Sequence, residues 1–210
     1  MRKVSFLLLF ILFSCDNNDV YLPIYGDKTV VIKPFDNYNI GDTIYHSIPS
    51  FNLLNQDSIL IEKSNFENKI LLVDFFFVSC PTICPIMTSN MSNIVNKFSD
   101  LPNLEFLSLT VNPENDTPVV LKEYIRKKNL DIRKWSFLTG DKDHLYDVAY
   151  YGFLANAMQD DNAPGGFLHS SLFFLIDTNG RIRGIYDGLI DDEIEKSIID
   201  INKLYDEEFK

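Results

Sequence analysis

The chain has 210 residues, a formal charge of −11, 46% hydrophobic residues and three cysteines. That length suits one domain with some terminal processing, since a single core usually organises ~100–200 residues, and 17 Phe and 10 Tyr spread along it exclude disorder over most of its length. The acidic balance excludes nucleic acid as a partner, because phosphate binding needs clustered Lys and Arg.

The chain opens with MRK, then VSFLLLFILF, then SCDNN, which is a basic start, an apolar stretch and a small residue before Cys15. This is the pattern of a secretory signal. A spanning helix needs roughly 20 apolar residues, and Asp16, Asn17 and Asn18 end the stretch well short of that. Leu12-Phe13-Ser14-Cys15 resembles the bacterial lipoprotein box, in which cleavage falls before a lipidated cysteine, although Phe13 is bulkier than the usual residue there. The resemblance implies a signal peptide over residues 1–14 and a lipid on Cys15, with the side-chain charge moving from −11 to −13 on cleavage. It places the protein in the bacterial cell envelope, held at the inner membrane and facing the periplasm. Ordinary secretion with an unmodified Cys15 is the alternative.

Residues 15–42 are polar and turn-rich and read as a tether with room for short strands, which leaves residues 43–210 for the domain. Two apolar stretches around Asn55-Gln56-Asp57-Ser58 predict a hairpin. KILLVDFFFV, residues 69–78, is too short for a typical helix and predicts a buried central strand. Ile86, Met87, Met91, Ile94, Val95 and Phe98 form one helical stripe, with Pro85 in the first turn, where a missing N–H costs nothing. LEFLSLTV (104–111) predicts another strand, and NDTPVVLKEYIRKKN a helix capped by Asp116 or Thr117. DKDHLYDVAYYG predicts a further helix. SSLFFLIDTNGRIRGIYDG predicts two strands joined at Asp177-Thr178-Asn179-Gly180, and a closing helix begins with acidic residues that suit its dipole. Phe75, Phe76, Phe77 and Trp135 read as core. The order is a hairpin, then β-α-β-α-(α)-β-β-α, an α/β sandwich with a mixed central β-sheet flanked by helices. It resembles the thioredoxin fold with an N-terminal β-hairpin extension.

Cys80 and Cys84 sit where the first central strand of such a fold meets its helix. Pro85 disfavours helical geometry at Cys84, so Cys80 falls in the loop and Cys84 at or just before the helix start. There the helix N–H groups favour thiolate, the form that attacks disulfides and binds metals. A structural disulfide closing so short a loop constrains little of the unfolded chain. Redox catalysis and metal binding both remain open. Cys-x-x-x-Cys differs from the Cys-x-x-Cys of thioredoxin-type oxidoreductases and leaves room for two sulfurs to grip one ion. Two thiolates call for a third ligand, and the chain has only His46, His144 and His169. His46 and His144 read as surface residues. His169 precedes the strand that, in a thioredoxin-like sheet, neighbours the one leading to the cysteines.

VSCPTICP, followed by VNPENDTP, WSFLTG and LHSSLFFLIDTNGRI, resembles the Sco/SenC family of copper metallochaperones over about residues 45–206. The resemblance implies that Cys80, Cys84 and His169 bind copper as Cu(I) and Cu(II), since thiolate favours Cu(I) and imidazole helps to retain Cu(II). It also implies delivery of copper to the copper A centre of cytochrome c oxidase subunit II, or reduction of that centre's cysteines. A copper-donor protein or a thiol reductant would act as partner. Asn112 departs from the family's usual aspartate in VNPENDTP. The alternative is an envelope thiol-disulfide oxidoreductase of thioredoxin type, with Cys80 and Cys84 catalytic. The lack of a proline directly before the strand that follows His169 weighs against general disulfide exchange. Asp160 and Asp161 read as a solvated loop, with docking of a copper donor as the sharper possibility.

Overall fold

Ile70–Phe76 is buried at all seven positions, as a continuous apolar run flanked by turns requires. In the computed structural model, which describes residues 21–155, 157–160 and 167–210, this strand is central to a seven-stranded mixed sheet. Numbered in chain order, the strands are β1 (Lys28–Val30), β2 (Thr43–Tyr45), β3 (Asn52–Asn55), β4 (Leu60–Glu62), β5 (Ile70–Phe76), β6 (Leu104–Thr110), β7 (Trp135–Thr139), β8 (Ala157–Gln159), β9 (Phe167–His169), β10 (Leu172–Ile176) and β11 (Ile182–Asp187). The helices are α1 (Cys84–Lys97), α2 (Pro118–Lys128), α3 (Lys142–Asp147) and α4 (Asp191–Phe209).

The main sheet runs β11-β10-β5-β6-β7-β3-β4. β5, β6 and β7 are parallel, joined through α1 and α2, while β10 lies antiparallel on the other edge of β5. The expected hairpin forms as β3–β4 around Asn55, whose side chain accepts the Asp57 and Ile59 N–H groups at 2.9 and 3.0 Å. The DTNG turn forms between β10 and β11, with Asp177 Oδ1 accepting from the Asn179 and Arg181 amides and Gly180 supplying a φ of +77°.

Several features differ from the sequence expectations. β7 is an additional strand over WSFLT, and it joins the β3–β4 hairpin to the sheet through Leu54↔Thr139 and Asn55↔Leu138. The Trp135 indole N–H reaches Ser108 Oγ at 2.9 Å, satisfying its one polar group inside the core. α3 ends after six residues and runs into a π-helical turn, Val148–Gly152. There a side chain on Gly152 would collide with Pro49, and the Gly152 carbonyl accepts from His46 Nε2 at 2.8 Å. His46 is thus a half-buried brace, and His144, also half-buried, accepts the Asn52 amide at 3.3 Å. β8 and β9 form a separate two-stranded ribbon. Residues 1–20, and with them the signal peptide and Cys15, lie outside the described residues.

The chain from Tyr21 is strapped to the domain by one buried cation. Arg183 on β11 donates to Leu22 O (2.8 Å), Pro23 O (3.1 Å) and Glu207 Oε2 (2.7 Å), with Asp177 Oδ2 at 3.4 Å. Leu22 N–H in turn reaches Glu207 Oε1, and Tyr25 pairs with Ile182. Removing one partner of a buried charge network leaves the others uncompensated. Arg183→Met is therefore expected to cost about 3–5 kcal/mol, read as a lowered denaturant midpoint with the fold's circular dichroism retained.

Candidate metal centre

Past Phe76 the chain leaves the sheet at an anchor. Asp116, buried after β6, accepts the Val78 N–H at 3.1 Å and the Thr110 hydroxyl at 2.5 Å through Oδ2. Its carboxylate therefore ties the cysteine loop to the β6–α2 loop and does not cap α2; the N-cap is Thr117, with no side-chain cap bond. Asn112 is buried in that second loop, accepting Asn115 Nδ2 on its side chain (2.9 Å) and the Asp116 amide on its carbonyl (2.8 Å).

Cys80 and Cys84 are both buried, and both are thiols not joined in a disulfide. Helix α1 starts at Cys84 with Pro85 in its first turn, and Ile83 at the N-cap has no side-chain acceptor. The first turn of a helix leaves its N–H groups without internal partners. Here Cys84 N–H donates to Cys80 Sγ at 3.4 Å, so one cysteine's sulfur closes the helix that begins with the other. Thr82 Oγ1 lies 4.0 Å from the same sulfur.

These contacts divide the two thiols. Burial pushes Cys80 up, but hydrogen bonds from the Cys84 thiol and amide and from Thr82 outweigh it and hold Cys80 below the ordinary thiol value. Burial pushes Cys84 strongly up, and its hydrogen bond to Cys80 and the nearby charges of Cys80 and Asp74 add to that. Cys80 is the thiolate in waiting and Cys84 its proton-bearing neighbour. With limiting iodoacetamide near neutral pH, Cys80 should be alkylated well before Cys84 in peptide mass maps.

Asp74, in the middle of β5, belongs to the same environment. Its carboxyl is fully buried, accepts Ser108 Oγ at 2.5 Å, and is pushed up to about 7 by burial despite that bond. Nothing but its charge inside an apolar strand run marks it in the sequence. Because the folded state raises this carboxyl above its usual ~3.9, its contribution to stability is full below about pH 4 and is lost as pH rises through about 7. The gap corresponds to about 4 kcal/mol. Asp74→Asn should remove that slope, measured as denaturation midpoints between pH 4 and 8.

His169 ends β9, with its backbone opposite Ala157 of β8. β10 starts three residues later and runs antiparallel to β5 in the register Phe174↔Val73, so the chain at His169 enters at the sheet end where β5 leads to the cysteines. The His169 side chain and Asp161 lie outside the described residues, and Asp160 is half-buried. Among the described residues no three His, Cys, Asp or Glu side chains form a metal-sized cluster. Also among them, no helix is long and apolar enough to cross a membrane.

The SCO1/SenC family model matches residues 43–205. The chain belongs to the SCO1/SenC family. A SCO1/SenC family lipoprotein from Bacillus anthracis is 29% identical, with a TM-score of 0.70 over 76% of this chain and 95% of that one. BsSco, a member of the Sco family of cytochrome c oxidase assembly proteins in which a disulfide switch was identified, is 28% identical, with a TM-score of 0.67 over 76% and 93%. Copper-bound ScoI of Arabidopsis thaliana, at 21% identity and a TM-score of 0.62 over 74% and 98%, shares the fold. The Sco fold is thioredoxin-like, and this chain has it: a mixed central sheet flanked by helices, with the cysteine pair where β5 passes into α1.

Proposed function

We propose that this protein is a copper metallochaperone of the bacterial cell envelope, anchored by a lipid on Cys15, with Cys80, Cys84 and His169 as its copper ligands. The observation that carries the reading is the pair of reduced cysteines at the start of α1, the first held toward thiolate by the second's amide and thiol. Two soft sulfur donors on a loop and a helix start suit Cu(I), and an imidazole would complete a set able to hold Cu(II) as well. Copper is the cargo in this reading. The Cys84 proton must leave before both sulfurs bind, so loading releases protons. Cytochrome c oxidase subunit II, through its copper A centre, is the recipient that the family assignment favours, and BsSco's place among oxidase assembly proteins supports it. The lipoprotein of Bacillus anthracis supports the anchor.

The division of the two thiols favours a second reading. Cys80 thiolate would attack a partner's disulfide, and Cys84, on losing its proton, would displace the partner's sulfur. The partner gains two electrons, Cys80 and Cys84 become a disulfide, and a thiol reductant restores them. This suits reduction of the recipient's cysteines.

A titration of the reduced, oxygen-free protein with a competing Cu(I) chelator separates the two. One equivalent of copper should bind, with Cys80→Ser and Cys84→Ser each weakening it by at least about tenfold. In a parallel titration with Cu(II), His169→Ala should chiefly lose the sulfur-to-Cu(II) charge-transfer band. Absence of specific copper binding would remove the chaperone reading, and disulfide exchange by the same protein would then stand alone.

A further inference from the structure

Residues 32 to 42, which join β1 to β2, are exposed without interruption. Among the polar residues usual in an exposed loop of that length stand several large apolar ones. Val30, Ile32, Phe35, Tyr38 and Ile40 all face solvent, Ile32 at 80% and Ile40 at 68% of their possible area. The Tyr38 amide donates to the Phe35 carbonyl, and their rings lie 5.5 Å apart, so the tip presents two aromatic faces together. Neither β1 nor β2 joins the main sheet. Exposed apolar side chains gathered on one hairpin mark a protein or membrane contact.

The position of the hairpin selects between these. Its base is pinned by His46 N–H to Asp27 O (2.8 Å) and, on either side, by Tyr25 N–H to Ile182 O and Ile48 N–H to Gly180 O. Gly180 lies in the β10–β11 turn. Since β10 runs antiparallel to β5, that turn is at the Ile70 end of β5, while Cys80 lies beyond the Phe76 end. Seven residues of strand separate the two poles by roughly 23 Å. Cys15 precedes Tyr21 by six residues, at most about 21 Å of chain, and Tyr21 enters directly into the strap held by Arg183. A lipid on Cys15 therefore keeps the hairpin pole within about 21 Å of the bilayer.

We infer that the β1–β2 hairpin is a membrane-contact element: its apolar tip seats in the lipid surface beside the anchor and holds the Cys80–Cys84 pole away from the membrane. The inference rests on the lipid anchor of the proposed function. Phe, Tyr and Ile with the stems of Lys28 and Lys33 are the chemistry that settles at a lipid–water boundary. Asp27, Asp36 and Asp42 offset the two lysines, so the contact is apolar and does not call for anionic lipid.

The test uses the full chain, processed in cells and reconstituted in phosphatidylethanolamine–phosphatidylglycerol vesicles with brominated acyl chains. Phe35→Trp reports on the hairpin. Val119→Trp, exposed in the first turn of α2 at the cysteine pole, is the control, and buried Trp135 is a constant background in both. Quenching of the Phe35→Trp emission by about twofold, as expected for a ring sitting in the headgroup–acyl boundary, with the Val119→Trp emission unchanged, supports the inference. Unquenched Phe35→Trp overturns it, as does a blue shift that needs no vesicles and grows with protein concentration, which would make a second copy the occupant. Mass spectrometry of the same preparation reads the lipid on Cys15. An unlipidated mass overturns the anchor, and the inference with it, while leaving the copper titration untouched.

Discussion

Burial of β5 on both faces and pairing along both edges set the positions of everything else. With β6 parallel on one side and β10 antiparallel on the other, the end of β5 is the place where the chain must turn out of the sheet and start a helix. A strand buried this completely cannot shift register without exposing apolar residues or stranding backbone groups. The cysteines inherit that rigidity. Their loop is fixed at one end by the strand, at the other by the first turn of α1, and in between by the Asp116 carboxylate on the Val78 amide.

The site is built from groups that supply each other's missing partners. Ile83 leaves the start of α1 without a side-chain cap, and Cys80 Sγ takes the amide that this exposes. That bond draws Cys80 toward thiolate, while burial and Asp74 keep the proton on Cys84. Asp74 is itself held by Ser108, which accepts the Trp135 indole N–H, so a polar line runs across β5, β6 and β7. Such a line inside a core is costly unless each member is bonded, and here each is.

The two ends of the sheet have different tasks. One carries the cysteines and, by its backbone, the entry at His169. The other carries the Arg183 strap and the base of the β1–β2 hairpin. The antiparallel direction of β10 makes this separation, because it brings its DTNG turn to the end of β5 farthest from Cys80.

The sequence alone determined the features that depend on local spacing. The buried run at 69–78, the stripe of α1, the turns at Asn55 and Asp177, and the cysteine pair with its proline are each set by neighbours a few residues away. The motif segments around Cys80, Asn112, Trp135 and His169 are distinctive enough to indicate the family by themselves. β7 is not legible in this way, because five residues of WSFLT carry too little period to separate a strand from a buried loop, and only pairing with β6 and β3 defines it. Asp116 and His46 mislead for a related reason. A carboxylate beside a helix start looks like a cap and a histidine in a hairpin ahead of the core looks like surface, until the fold brings Val78 and Gly152 within hydrogen-bond reach. Which thiol gives up its proton is likewise beyond the spacing of Cys80 and Cys84. Tertiary structure decides it, through the direction of one amide N–H and the burial of a carboxyl ten residues upstream of Cys84.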